Sequence, residues 1–99
     1  MMKFDWNPDK AKENKKKHDG ITFEEAVEVF FDSMAVEDYD DEHSDFIETR
    51  YMRIGNSAKR LLRVSFTVCQ DETDNEIIRI ISARKGKIEE ENKYNEQNK

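Results

Sequence analysis

The sequence predicts an α+β domain: a small antiparallel sheet of three to four strands, with two N-terminal helices and one C-terminal helix packed on it. Three observations predict this class. Thr22-x-x-Glu25 is a capping-box pattern, and it opens a segment whose apolar residues recur at helical period. Three runs between residues 46 and 83 have strand composition, one of them cleanly alternating. The gaps between those runs are short, which favours hairpins over crossovers and so antiparallel pairing.

The first helix opens at Asn7, whose side chain suits a free backbone N–H at a helix start. Pro8 fits the first turn, where its missing donor costs nothing. Asp9 favours the positive end of the helix dipole and Lys15, Lys16 and Lys17 the negative end; Gly20 closes the helix. Phe4 and Trp6 are expected to pack before or beside it. In the second helix, Phe23, Ala26, Val27, Phe30 and Phe31 form one apolar stripe, expected to be core. Glu24, Glu25 and Glu28 are expected outward or at the stripe's margins.

Residues 34–36 read as a short edge strand. Residues 38–45 are too acidic for core and read as a solvated loop carrying His43. Residues 46–54 are the first long strand run, broken by Gly55-Asn56-Ser57. Residues 60–69 are the second, with Leu62, Val64, Phe66 and Val68 on one face. Residues 71–75 make a turn. Residues 77–83 are apolar on both faces, as a covered central strand would be. Gly86 permits a break, and a helix follows from Lys87, its only apolar residues Ile88 and Tyr94. Residues 95–99 are expected to fray, and residues 1–99 to form a single domain.

No apolar run is long enough to span a membrane, and the first residues lack the apolar stretch of a signal peptide. Cys69 is the lone cysteine, which excludes an internal disulfide and a cysteine-rich zinc site. The expected compartment is a reducing cytoplasm. The net charge of -6 on its face argues against a nucleic-acid binder. The charge is segregated, however. Residues 21–48 hold eleven acids and neither Lys nor Arg, whereas residues 1–20 are net +2 and residues 49–99 net +3. The acidity thus comes from one segment and the bases collect elsewhere, an asymmetry more informative than the net value.

Several motifs together resemble one family. Phe4-x-Trp6-Asn7-Pro8-x-Lys10, Asn14 and Lys17-His18 look like the opening of BrnT-type toxins, as does Phe23-x-Glu25-Ala26 with Phe30 and Asp32. The middle matches through His43, Glu48-x-Arg50 and Gly55, and the end through Arg79-Ile80-Ile81-Ser82-Ala83-Arg84 and then Tyr94. Two places depart from the pattern. Asp19 stands between His18 and Gly20, which bears on the direction of His18, and Gly86 stands where an alanine is usual. The resemblance implies a RelE-like ribonuclease fold and an RNA-cleaving toxin of a type II toxin–antitoxin pair. It also implies a ribbon-helix-helix antitoxin as partner, with operator DNA reached only through that antitoxin.

Metal-free RNA cleavage needs a base, an acid and cations near the phosphate. Arg50, Arg79 and Arg84 are the candidate phosphate-stabilising cations, because the guanidinium fork matches phosphate oxygens. Glu48, at i and i+2 with Arg50, is the candidate base or orienter; apart from the resemblance, the pair reads first as an exposed ion pair. Arg79 among isoleucines must find a partner or reach water, so a structural salt bridge competes with catalysis. Lys17 and His18 are further candidates, against a solvated lysine face and a helix-dipole partner. Lys17, Arg53 and Tyr94 are candidate RNA contacts, Tyr94 by stacking unless it packs. His43 is expected to interact with neighbouring acids. The acidic loop lacks metal-ligand spacing, and neither metal nor cofactor is expected. Two non-catalytic readings stay open: a co-repressor bound to a DNA-binding antitoxin, and an acidic mimic of nucleic acid.

Overall fold

The computed structural model describes residues 2–45 and 48–99. Helix α1 (Pro8–Lys17) starts where Asn7 predicts, its Oδ1 accepting from the N–H groups of Asp9 (2.9 Å) and Lys10 (3.3 Å). The chain leaves it through two left-handed residues, Asp19 (φ 51) and Gly20 (φ 74). Helix α2 (Phe23–Glu28) starts at Thr22, whose Oγ1 accepts from the Glu25 N–H at 3.0 Å. The Glu25 carboxylate does not lie outward as expected. It is buried, and it accepts from Arg60 Nη2 (2.8 Å), Arg60 Nε (3.0 Å) and Ser57 Oγ (2.8 Å).

The predicted stripe holds through Phe23, Ala26 and Phe30, then fails at Phe31, which is 68% exposed. After Glu28 the helix tightens into a 3-10 turn, Val29–Phe31. At three residues per turn rather than 3.6, Val29 swings under the helix and Phe31 swings out.

The expected class holds, but the sheet is larger than predicted and is mixed. Its strands are β1 (Lys3–Asp5), β2 (Val36–Tyr39), β3 (Tyr51–Asn56), β4 (Leu61–Gln70) and β5 (Glu76–Lys85), in the order β1-β5-β4-β3-β2. β1 runs parallel to β5, with Phe4 opposite Ile78 and Asp5 opposite Arg79; the other pairs are antiparallel. Three residues are too few to show a period, which is why β1 is invisible in sequence. Residues 38–45 are not a wholly solvated loop: β2 runs to Tyr39, and Asp40 after it is buried. β3 starts later than predicted; Phe46 and Ile47 lie outside the described residues. Gly55 does not break it. The glycine sits inside β3 opposite Leu62, where a Cβ would stand 2.9 Å from both Ala35 Cβ and Val29 Cγ1.

One side of the sheet carries the core. Ile21, Phe23, Ala26, Val29 and Phe30 pack on Leu62, Val64, Phe66, Ile80 and Ala83. Val68 continues the β4 alternation but is exposed. α1 runs beside β5 beyond the end of β1, and there Asn14, 5% exposed, stands in for a missing strand. Its Nδ2 donates to Ala83 O (2.8 Å) and Ile21 O (3.1 Å), and its Oδ1 accepts from Ala83 N (3.0 Å). An edge that would otherwise be left with unpaired backbone groups is thereby closed.

On the other side lies α3 (Ile88–Gln97), which reaches Gln97 where fraying is expected; Asn98 Nδ2 then donates to Met34 O at 2.9 Å. None of its residues is buried, and Ile88 is 76% exposed. Polar contacts hold it: Glu90 to Arg84, Lys93 Nζ to Asp38 Oδ2 (2.7 Å) and Tyr94 Oη to Asp32 Oδ2 (2.8 Å). Among the described residues, no helix is long and apolar enough to cross a membrane.

Candidate functional site

The register of β5 decides which side chains meet. Arg79 and Arg84 are five residues apart, so a regular strand would point them to opposite faces. The β4–β5 register shifts between Ser65 and Phe66: Ser65 faces Ser82, but Phe66 faces Ile80, leaving Ile81 as the extra residue of a bulge. Ile80 and Ala83 therefore both enter the core. Arg79 and Arg84 both reach the opposite face, the face of α3.

Cross-strand rows on that face follow from the pairing. Ile54, Arg63 and Arg84 form one row and Met52, Ser65 and Ser82 the next; Thr67, Arg79 and Asp5 form a third. Arg50 immediately precedes β3, and continuing the β3 alternation puts it on the same face. Thr67 Oγ1 donates to Thr49 O (2.8 Å), which holds this segment against β4. Glu48 and Arg50 do not lie on a strand as expected, yet they stand side by side, Arg50 Nε donating to Glu48 Oε1 at 2.7 Å. Glu48 and Arg79 line one open hollow of about 650 Å³, together with Asp5, Thr67, Cys69 and Ile77.

Every arginine on this face has a carboxylate. Arg79 donates from Nε and Nη2 to Asp5 (3.0 and 3.1 Å). Arg84 makes a bidentate pair with Glu90 (2.7 and 2.8 Å). Arg63, directly opposite Arg84, shares Glu90 through Nε (3.3 Å) and reaches Asp40 through Nη2 (3.4 Å). Like charges facing each other across a ladder repel, and Glu90 relieves that. Burial pushes the Glu90 carboxyl up, but the Arg84 hydrogen bonds, the Lys87 N–H and the charges of Arg84 and Arg63 outweigh it and hold it below the usual carboxylate value. Asp40 behaves alike: burial raises it, and His43 and Arg63 together bring it below the usual value.

The remaining candidates lie elsewhere. Lys17 and His18 line a smaller hollow of about 220 Å³ with Lys10, Glu13, Asn14, Ile81 and Ser82; it meets the arginine face at Ser82. Lys17 Nζ is 3.3 Å from Glu13. Arg53 lies on the core side. It donates to Val29 O (3.1 Å), Asp32 O (3.2 Å) and Glu37 Oε2 (2.7 Å), and stands 5.4 Å over the Phe30 ring. Those contacts fasten the end of the 3-10 turn. Tyr94 packs between elements, its hydroxyl donating to Asp32 and accepting from Asn56 Nδ2 (3.2 Å).

Sequence reasoning missed Arg63 and Asp40. Arg63 had a visible signal, since it alternates with Leu62 and Val64 and must therefore leave the core. Asp40 had none in a run of acids. Among the described residues no group of three or more His, Cys, Asp or Glu side chains is arranged to hold a metal ion.

The family model described as "Ribonuclease toxin, BrnT, of type II toxin-antitoxin system" matches residues 6–90. Among curated proteins, none matches the chain.

Proposed function

Because the chain belongs to the BrnT family of ribonuclease toxins of type II toxin–antitoxin systems, we propose that it cleaves RNA on the arginine face of its sheet, without a metal ion. In this reading the 2′-hydroxyl attacks the adjacent phosphorus, and Arg50, Arg79 and Arg84 stabilise the charge that builds on the phosphoryl oxygens. Glu48 serves as base or orienter, and Lys17 and His18 approach the substrate from the β5 edge. The observation that carries the reading is the gathering of Arg50, Arg63, Arg79 and Arg84 on one face, which the bulge at Ile81 makes possible. The carboxylates now paired with them occupy positions a phosphate would take by exchange.

The reading assigns the protein to the cytoplasm, with a RelE-like architecture. It also assigns a ribbon-helix-helix antitoxin as partner, and operator DNA only through that partner. An acidic mimic of nucleic acid is less well supported. Within the acidic segment, Glu25, Glu28, Asp32, Glu37, Asp40 and Glu48 bond to other parts of the fold rather than lying free for a partner.

The test is incubation of the purified protein with single-stranded RNA in EDTA. Fragments ending in a 2′,3′-cyclic phosphate are expected. RNA left intact at stoichiometric protein refutes the reading and favours a non-catalytic co-repressor.

A further inference from the structure

We propose that His43 is the proton-transfer residue of the arginine face and that Asp40 positions it. The proposal rests on the ribonuclease reading and adds a catalytic group to it. His43 Nδ1 lies 2.9 Å from Asp40 Oδ2 and 3.1 Å from Oδ1. An ionised carboxylate only accepts, so Nδ1 carries the donated proton, and Nε2 is left with its lone pair. The side chain is 54% exposed, so Nε2 is open to a substrate.

Asp40 is fixed, being 8% exposed, at the end of β2, and held from several sides. Its N–H donates to Arg50 O (2.8 Å), and its carbonyl accepts from Ser44 Oγ (2.7 Å). Ser44 Oγ in turn accepts from Arg50 N (2.9 Å). Asp40 Oδ2 is shared between His43 and Arg63, and Arg63 is shared with Glu90 of α3. The imidazole is thus tied to two arginines of the face, one through a side chain and one through backbone. A buried carboxylate that sets the tautomer of a half-exposed histidine is the arrangement general-base catalysis uses.

Glu48 is less free for that task, because Arg50 Nε already holds its Oε1. His18 lies in the other hollow, beside α1. In the step we assign, Nε2 accepts the 2′-hydroxyl proton while the 2′-oxygen bonds to phosphorus and the P–O5′ bond breaks. The 5′-oxygen takes a proton from water, and the imidazolium returns its proton to solvent.

The experiment follows cleavage of a labelled single-stranded RNA by the wild-type protein, H43A, H43N and D40N from pH 5 to 9. Affinity is measured on a matched oligonucleotide with 2′-deoxyribose throughout. H43A and H43N should lower kcat by roughly 10²–10⁴-fold, leave that affinity within about threefold, and lose the lower limb of the pH profile. Free imidazole should restore part of the H43A rate. D40N should lower kcat with KM unchanged and melt as a folded protein. Wild-type cleavage with H43A or H43N equally fast and equally pH-dependent overturns the role of His43 and leaves the ribonuclease reading standing. Loss of rate and affinity together, with no rescue by imidazole, also overturns it. A wild-type protein that does not cut RNA overturns both.

Discussion

Asn14 closes the β5 edge with a side-chain amide, and replacing it tests that arrangement. Asn14→Leu keeps the branching at Cγ, though its methyl groups are bulkier, and leaves the Ala83 N–H, the Ala83 carbonyl and the Ile21 carbonyl without the partners they have now. An unsatisfied buried group costs about 1–3 kcal/mol, carbonyls less than N–H groups. The three together predict a loss of about 3–5 kcal/mol, a large share of the stability of a domain this size. In urea the midpoint should fall with the slope unchanged. The melting temperature should drop by roughly 12–40 °C, at about 4–8 °C per kcal/mol. Asn14→Asp sharpens the test. It retains an acceptor for Ala83 N but sets a carboxylate against two carbonyls, so the folded protein favours the protonated acid and raises the pKa of the new group. A raised folded-state pKa means stability present in acid and lost as pH rises through it. The deficit of N14D relative to wild type should therefore shrink on acidification. A loss under about 1 kcal/mol for N14L, or a pH-independent deficit for N14D, would show that water serves that edge as well as the amide does.

Gly55→Ala places a methyl 2.9 Å from Ala35 Cβ and Val29 Cγ1 and should cost about 1–3 kcal/mol by overpacking, read by thermal melting. Glu90 is held below the usual carboxylate value, so its contribution is present above that value and lost as pH falls through the depressed one. Protection of the amides of residues 88–97, taken relative to their intrinsic exchange rate at each pH, should fall on acidification before that of β4, and Glu90→Gln should lessen the dependence. Arg79→Ala should reduce RNA cleavage by roughly 10²–10³-fold. Arg79→Lys should recover only part of it, since a point charge lacks the bidentate fork; full toxicity in a folded R79A protein would remove Arg79 from the site.

Local physics was legible where one rule acted alone. The N-caps at Asn7 and Thr22 and the alternation of Leu62, Val64 and Phe66 are written in a few adjacent residues, and the structure follows them. The rest depended on partners distant in sequence. Glu25 looked like half of a capping box until Arg60, 35 residues away, took its carboxylate. Gly55 looked like a break because glycine signals one; the close approach of Val29 and Ala35 is what requires it. For the candidate site, Glu48 beside Arg50 could be expected from spacing. Arg79 and Arg84 sharing a face could not, because a bulge at Ile81 reverses the parity that spacing implies. Asp40 under His43 was hidden in a run of acids.

The parallel pairing of β1 with β5 also sets an order of events during synthesis. Lys3–Asp5 are made well before the strand they pair with, residues 76–85. The ion pair of Asp5 with Arg79 closes a separation of 74 residues, and so long a loop must wait for the late strand to exist. A nascent chain therefore has no completed row of Thr67, Arg79 and Asp5 until Arg79 has left the ribosome. For a ribonuclease, this delays assembly of the face until residues 76–85 have emerged.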